Sequence, residues 1–380
     1  MTSVVHVAKY YPPVPGGMER VVESLCRSTQ GRVASRVIAF NTSRHTVREE
    51  IDGVPVTRVG VAAVVGSVPV APSLAGELRR ARGDAMVLHE PNPWALLSFA
   101  VARPAMPLAI WFHSEVIRPR LQYTLFYEPL VRAVYGRAQR IIVSSPPLGE
   151  QARALEPYRD RVRVIPFGID VESWAPTPAI AARAADIRRD AGPRPLVLFA
   201  GRMVPYKGID VLLRALAPLD VTAILAGDGP SRRDALATAQ ALNVNGRVRF
   251  AGEVPHDELR ALYHACDIFV LPSVTAAEAF GYVQLEAMAC GKPVVSTRVP
   301  SGVPWVNRHG ETGLTVPPGD ERALADAIAA LVADPSLRAR MGAAGRARVD
   351  AEFTLERMAE RTTALYEELA QTHSNHRQHL

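Results

Sequence analysis

Two glutamates stand eight residues apart in Glu278-Ala-Phe-Gly-Tyr-Val-Gln-Leu-Glu286. A carboxylate accepts hydrogen bonds from hydroxyls, so a spaced pair can grip two sugar rings. Phe280 and Gly281 are expected to open a helix whose free amides suit a phosphate. Glu286 would then lie roughly 7–9 Å further along the axis, at about 1.5 Å per residue. One carboxylate for hexose hydroxyls, amides for a diphosphate and one carboxylate for a ribose would bracket a nucleotide sugar. A bare pair would more often be two solvated side chains. Here Pro272-Ser273 precedes the pair and Gly291-Lys-Pro293 follows it, which favours a site.

A second cluster, Gly201-Arg-Met-Val-Pro-Tyr-Lys-Gly208, carries Arg202 and Lys207. Two cations and helix amides would stabilise the charge that develops on a departing nucleoside diphosphate, with no metal. The chain has only three lysines (Lys9, Lys207, Lys292) among 44 Lys and Arg. A lysine kept at 207 fits a demand for a compact ammonium. No Asp-x-Asp follows a strand, so neither a divalent cation nor any other cofactor is expected.

These groups need a frame. Ala265 to Ser273 reads as a buried strand ending in a turn, and Pro293 to Thr297 as the next strand. Strand, loop, helix, strand is the alternation of a parallel sheet. Glu278 then falls at the carboxyl end of a strand, where open α/β sheets bind ligands. Strands are also expected at Val4–Ala8, Ser35–Phe40, Val54–Val61, Met86–His89, Leu108–His113, Arg140–Ser144 and Val162–Pro166. A helix-like stretch runs from Tyr123 to Tyr135. The second half restarts at Leu196–Ala200, with strands at Thr222–Ala226 and Val248–Ala251. Helices are expected at Ile209–Leu216, Arg232–Leu242 and Asp257–His264. Ala/Arg/Pro-rich sequence from Gly168 to about Pro195 reads as a linker between two doubly wound α/β domains. Gly16-Gly17, after the first strand, lets backbone approach a ligand. It is not a GxGxxG, and Asn41 rather than an acid follows strand two, which argues against a nicotinamide dehydrogenase. His113 ends a strand before Ser114-Glu115; alone, such a histidine is more often structural.

The motifs together resemble the retaining glycosyltransferases of family 4, from Gly16 to the final helix. The resemblance implies the GT-B fold, two Rossmann-like doubly wound domains facing a cleft. Residues 1–175 would form the acceptor domain, completed by a helix at 354–372 that crosses back to it. Residues 190–350 would form the donor domain. The implied reaction moves a hexose from a nucleotide diphosphate sugar to a glycan or lipid-linked hydroxyl, with retention. The departing phosphate oxygen would take the acceptor proton. By this likeness Arg202 and Lys207 hold the diphosphate, Glu278 the sugar hydroxyls and Glu286 the ribose. His113 lies beside the donor sugar, and Gly16 and Gly17 line the phosphates and acceptor. Gly227 belongs to the turn Gly227-Asp-Gly-Pro230. Val254 lies in Phe250-Ala-Gly-Glu-Val-Pro255, which resembles the loop whose main chain meets the base. The runs His113–Arg118 and Ser144–Pro146 look most like bacterial rhamnosyl/mannosyltransferases of surface-polysaccharide assembly, which makes GDP-mannose the first donor to consider and a UDP-sugar the next.

The 380 residues suit two domains, 48% apolar and 22% charged, within the range of soluble globular proteins. Cys26, Cys266 and Cys290 have no ligand spacing, which fits a reducing, cytoplasmic compartment. Val59–Gly76 is uncharged but broken by Pro69 and Pro72, so no spanning helix is expected. Residues 1–170 hold 21 Lys/Arg against 14 Asp/Glu, a net 21 − 14 = +7. That excess makes an anionic membrane surface a candidate partner, or reflects an arginine-rich composition. No nucleic-acid motif accompanies it. Two other readings stay open: a nucleotide-sugar epimerase or phosphorylase of the same fold, and a non-catalytic scaffold of a polysaccharide assembly complex. Three terminal histidines, His373, His376 and His379, read as a polar end rather than a metal site.

Overall fold

The computed structural model describes residues 1–14, 16–115 and 127–378, with side chains to 372. The chain divides into two units, Met1–Gly168 with the helix from Leu355, and Ile169–Thr354.

The first unit holds an eight-stranded sheet. Its strands are β1 (Thr2–Val7), β2 (Val33–Phe40), β3 (Val47–Ile51), β4 (Val54–Val59), β7 (Ala85–Glu90), β8 (Leu108–Phe112), β9 (Ala138–Val143) and β10 (Val162–Val164), with β5 (Ala63–Val65) and β6 (Val68–Val70) as a separate hairpin. The order is β10-β9-β8-β7-β1-β2-β4-β3, parallel except for the β3–β4 pair. β7 and β8 are buried along their whole length; β8 reads as an unbroken apolar run, while β7 ends in buried His89 and Glu90. Strand order reverses between β1 and β7, the place where such sheets bind ligands. The last helix, Leu355–Gln378, buries Met358, Leu365, Tyr366 and Leu369 and packs on β1 and on helix Gly17–Ser28.

The second unit is a six-stranded parallel sheet, ordered β13-β12-β11-β14-β15-β16. These are Val248–Gly252, Thr222–Ala226, Leu196–Ala200, Ile268–Leu271, Val294–Thr297 and Gly313–Val316. Its order reverses between β11 and β14, which pair directly. The motifs of Arg202/Lys207 and Glu278 follow those two strands.

Three readings of the sequence change. The stretch read as a linker contains a helix, Pro178–Asp190, within the second unit. Thr177 caps it, Pro178 opens it, and it buries Ile180, Ala184 and Ile187. Phe280 and Gly281 do not open the following helix, which runs Val283–Ala289 and is only seven residues long. Strand β3 and the β5–β6 hairpin were not anticipated. Of the helix-like stretch from Tyr123, Glu128–Tyr135 is helical and residues 123–126 lie outside the described residues, as do the side chains of His373, His376 and His379.

Candidate active site

In the second unit the loops after β11 and β14 lie against each other. Gly208 makes this approach possible: it has φ 65°, and a Cβ there would fall 2.2 Å from the Pro272 carbonyl oxygen. The Val274 amide donates to the Tyr206 carbonyl at 2.8 Å and ties the two loops together. The result brings Lys207 to Glu278, with Nζ 2.5 Å from Oε2. Both are buried, at 7% and 8% exposure. Ser273 Oγ donates to the same Oε2 at 3.0 Å, and Ser301 Oγ donates to the Glu278 carbonyl at 2.6 Å. Oε1 carries no hydrogen bond among the described residues. The carboxylate is thus anchored on one oxygen and offers the other.

Arg202, at the same strand end, is exposed. Tyr206 lies within the field of Lys207, Glu278 and Arg202, and burial raises its hydroxyl pKa. The neighbouring loop is packed on this one. Gly227 has φ 124°, and a Cβ there would sit 2.1 Å from the Gly201 carbonyl oxygen. The Gly201 amide donates to Ala226, that of Met203 to Asp228, and that of Gly227 to Gly252. Val254 is half-buried between β13 and helix His256–Ala265.

Two expected contacts have a different setting. Phe280 turns its ring into an aromatic cluster, 6.4 Å from Trp305 and 6.2 Å from Phe353, so only its main chain is available to a ligand. Glu286 is 1% exposed and accepts from the Tyr263 hydroxyl at 2.8 Å. Burial and the Glu286 charge push that hydroxyl's pKa well above the usual phenol range.

In the first unit, Gly16 caps helix Gly17–Ser28 without a side-chain bond, and a Cβ on Gly17 would meet nothing within 4 Å. Glu19 sits in the first turn, and desolvation raises its pKa. The loop before this helix is held by buried Arg58, which donates to the carbonyls of Tyr11 and Pro12 and pairs with Glu49. His113 follows β8 directly, 8% exposed. Its amide donates to the Glu90 carbonyl at 2.9 Å, and its ring stacks 5.8 Å from Phe167. Burial lowers its pKa to about 3. Glu115 accepts from the Arg153 amide at 3.0 Å.

Sequence reasoning missed three groups here. Glu90 is fully buried, accepts from the Asn92 amide and the Tyr127 hydroxyl at 2.9 Å each, and is raised to about 8 by desolvation. His89 and His6 are buried beside it in the sheet. Their only signal was polar residues within otherwise apolar strands. Among the described residues, no group of three or more His, Cys, Asp or Glu could hold a metal ion.

Two doubly wound sheets in one chain are the make-up of the GT-B fold. Residues 15–173 match the family described as Glycosyltransferase Family 4, and residues 184–348 match Glycosyl transferases group 1. D-rhamnosyltransferase WbpZ of Pseudomonas aeruginosa is 32% identical over 355 residues, covering 92% of each chain. O-antigen chain mannosyltransferase C of Escherichia coli is 27% identical over 375 residues, covering 98% of this chain and 100% of that one. Among solved structures, Anabaena Alr3699/HepE in complex with UDP and glucose superposes with a TM-score of 0.76 at 24% identity, over 97% of this chain and 100% of that one. The chain therefore belongs to the family 4 glycosyltransferases, and it is a hexosyltransferase enzyme.

Proposed function

We propose that this enzyme carries a hexose, with retention at the anomeric carbon, from a nucleoside diphosphate sugar to a hydroxyl of a glycan or lipid-linked acceptor. The observation that carries this reading is the buried Lys207–Glu278 pair at the switch point of the second sheet. Glu278, paired with a cation and a hydroxyl on Oε2, is an acceptor for sugar hydroxyls rather than a proton donor. Lys207 and exposed Arg202 supply positive charge for the diphosphate, and this charge takes the place of a metal. Gly227, Val254, Gly281 and the main chain of Phe280 surround the nucleotide. Glu286 takes the ribose, its carboxylate oriented by Tyr263. By family likeness, His113, Gly16 and Gly17 are further candidates for contact with the donor sugar and acceptor.

GDP-mannose is the first donor to test. It is supported by the likeness to a mannosyltransferase of O-antigen assembly along the whole chain; a UDP-sugar is next. No described helix is long and apolar enough to cross a membrane. A cytoplasmic enzyme that docks on an anionic membrane to reach a lipid-linked acceptor accords with the basic first half.

A thermal-shift screen of GDP- and UDP-sugars tests the donor. A ligand at 100 times its Kd adds about 2.7 kcal/mol and raises the unfolding temperature. A response to neither class would refute the reading. Incubation with the donor alone separates transfer from epimerisation, since an isomerised nucleotide sugar would mean an epimerase. Excess chelator should leave turnover intact; loss restored by magnesium would overturn the metal-free proposal.

A further inference from the structure

His113 does not stand alone in the first unit. Its Nε2 lies 3.0 Å from His89 Nδ1, and His89 Nε2 lies 3.1 Å from His6 Nδ1. The three imidazoles form a file across β8, β7 and β1, all buried. Trp111 stacks on His89 and His113 with interplanar angles of 15° and 18°, which fixes both ring planes. At the far end Tyr366 packs edge-on against His6, with centroids 5.8 Å apart. His113 Nδ1 is the remaining nitrogen at the other end.

Hydrogen counting restricts this file. A neutral imidazole has one N–H and one lone-pair nitrogen. If His89 carries its proton on Nδ1, it donates to His113 Nε2, and His113 must carry its own on Nδ1. His89 Nε2 then accepts from His6 Nδ1. If His89 carries its proton on Nε2, every bond reverses, and both neighbours carry theirs on Nε2. Only these two arrangements satisfy both contacts, and in each the three rings share one tautomer. The outer Nδ1 of His113 is a donor in the first and an acceptor in the second.

We propose that His89 and His6 are positioning residues that tie the tautomer of His113 to their own, so that the file as a whole decides whether His113 donates to or accepts from the donor sugar. This rests on the proposed contact between His113 and that sugar. Burial supports the neutral count, holding His6 at about 4, His113 at about 3 and His89 well below the usual imidazole range.

The test is nitrogen NMR of the full chain with labelled histidine at neutral pH, where nitrogen shifts separate the two tautomers and the cation. The three rings should report one shared neutral tautomer. Mixed tautomers, or a charged member, would overturn the proposal even if no variant folds. In His89→Phe, His113 should average between tautomers, and kcat should fall about tenfold with the donor KM little changed. An unchanged His113 tautomer in that variant would also overturn it. In a His113→Ala background, His89→Phe should cost nothing further, whereas a merely structural role would cost the same again. If the tautomers behave as expected but His113→Ala turns over normally, the lock stands and the sugar contact fails.

Discussion

Lys207 and Glu278 are 71 positions apart in the chain, and each was legible as a charged group after a strand. Their pairing was not, because it depends on two loops meeting across the reversal of strand order. The pairing changes what a mutation should do. Glu278→Gln removes the proposed anionic acceptor of sugar hydroxyls, so kcat should fall at least a hundredfold, about 2.7 kcal/mol of transition-state binding. It also leaves a buried ammonium without its counter-charge, which costs about 3–5 kcal/mol of stability. Denaturant unfolding beside steady-state kinetics would show both losses; unchanged kinetics would remove Glu278 from the site. Lys207→Ala should weaken nucleoside diphosphate binding at least tenfold, about 1.4 kcal/mol, in a calorimetric titration. Equal affinity would move the diphosphate elsewhere. Glu286 shows the limit of reading residues singly, since its Tyr263 partner lies 23 residues upstream on another helix.

At the scale of elements, the buried strands were the clearest in the sequence. β11, β12 and helix Ile209–Leu216 fall where their apolar runs and flanking glycines put them. Edge elements were obscure. β3, Val-Arg-Glu-Glu-Ile, is exposed along four of its five residues and carries no burial pattern to read. Helix Pro178–Asp190 was hidden by composition: alanine and arginine favour helix, but the flanking prolines suggested a linker. Loop packing at the carboxyl edge gives a sharp test. Gly227→Ala should drive a Cβ into the Gly201 carbonyl at φ 124° and cost about 2–3 kcal/mol. Gly252→Ala, at φ 69° with nothing within 4 Å, should cost about 1 kcal/mol, from backbone strain alone. Thermal unfolding of the two variants reads the difference. Equal losses would show that the close approach does not constrain the fold.

For the molecule as a whole, buried titrating groups shape stability against pH. His6 and His113 refuse protons that the unfolded chain accepts below about pH 6.5, so stability is lost as pH falls from there toward their folded values of about 4 and about 3. Each contributes about 1.4 kcal/mol per pH unit within its window. Glu90 has the opposite sign. Its folded carboxyl keeps a proton to about 8, while the unfolded one releases it near 4.5, so stability falls as pH rises between those values. Together these groups place the maximum at about pH 6.5, and Glu90→Gln should flatten the alkaline side of a plot of unfolding midpoint against pH. An unaltered alkaline slope would show that Glu90 is ionised in the folded chain. The sequence by itself determined the class of architecture and the family, because buried strands and loop glycines follow short-range rules. Only the tertiary structure decided that Lys207 meets Glu278, that Glu286 meets Tyr263, and that three histidines from separate strands line up ring to ring. Parallel strands join residues far apart in the chain, and no local pattern encodes which of them will share a sheet edge.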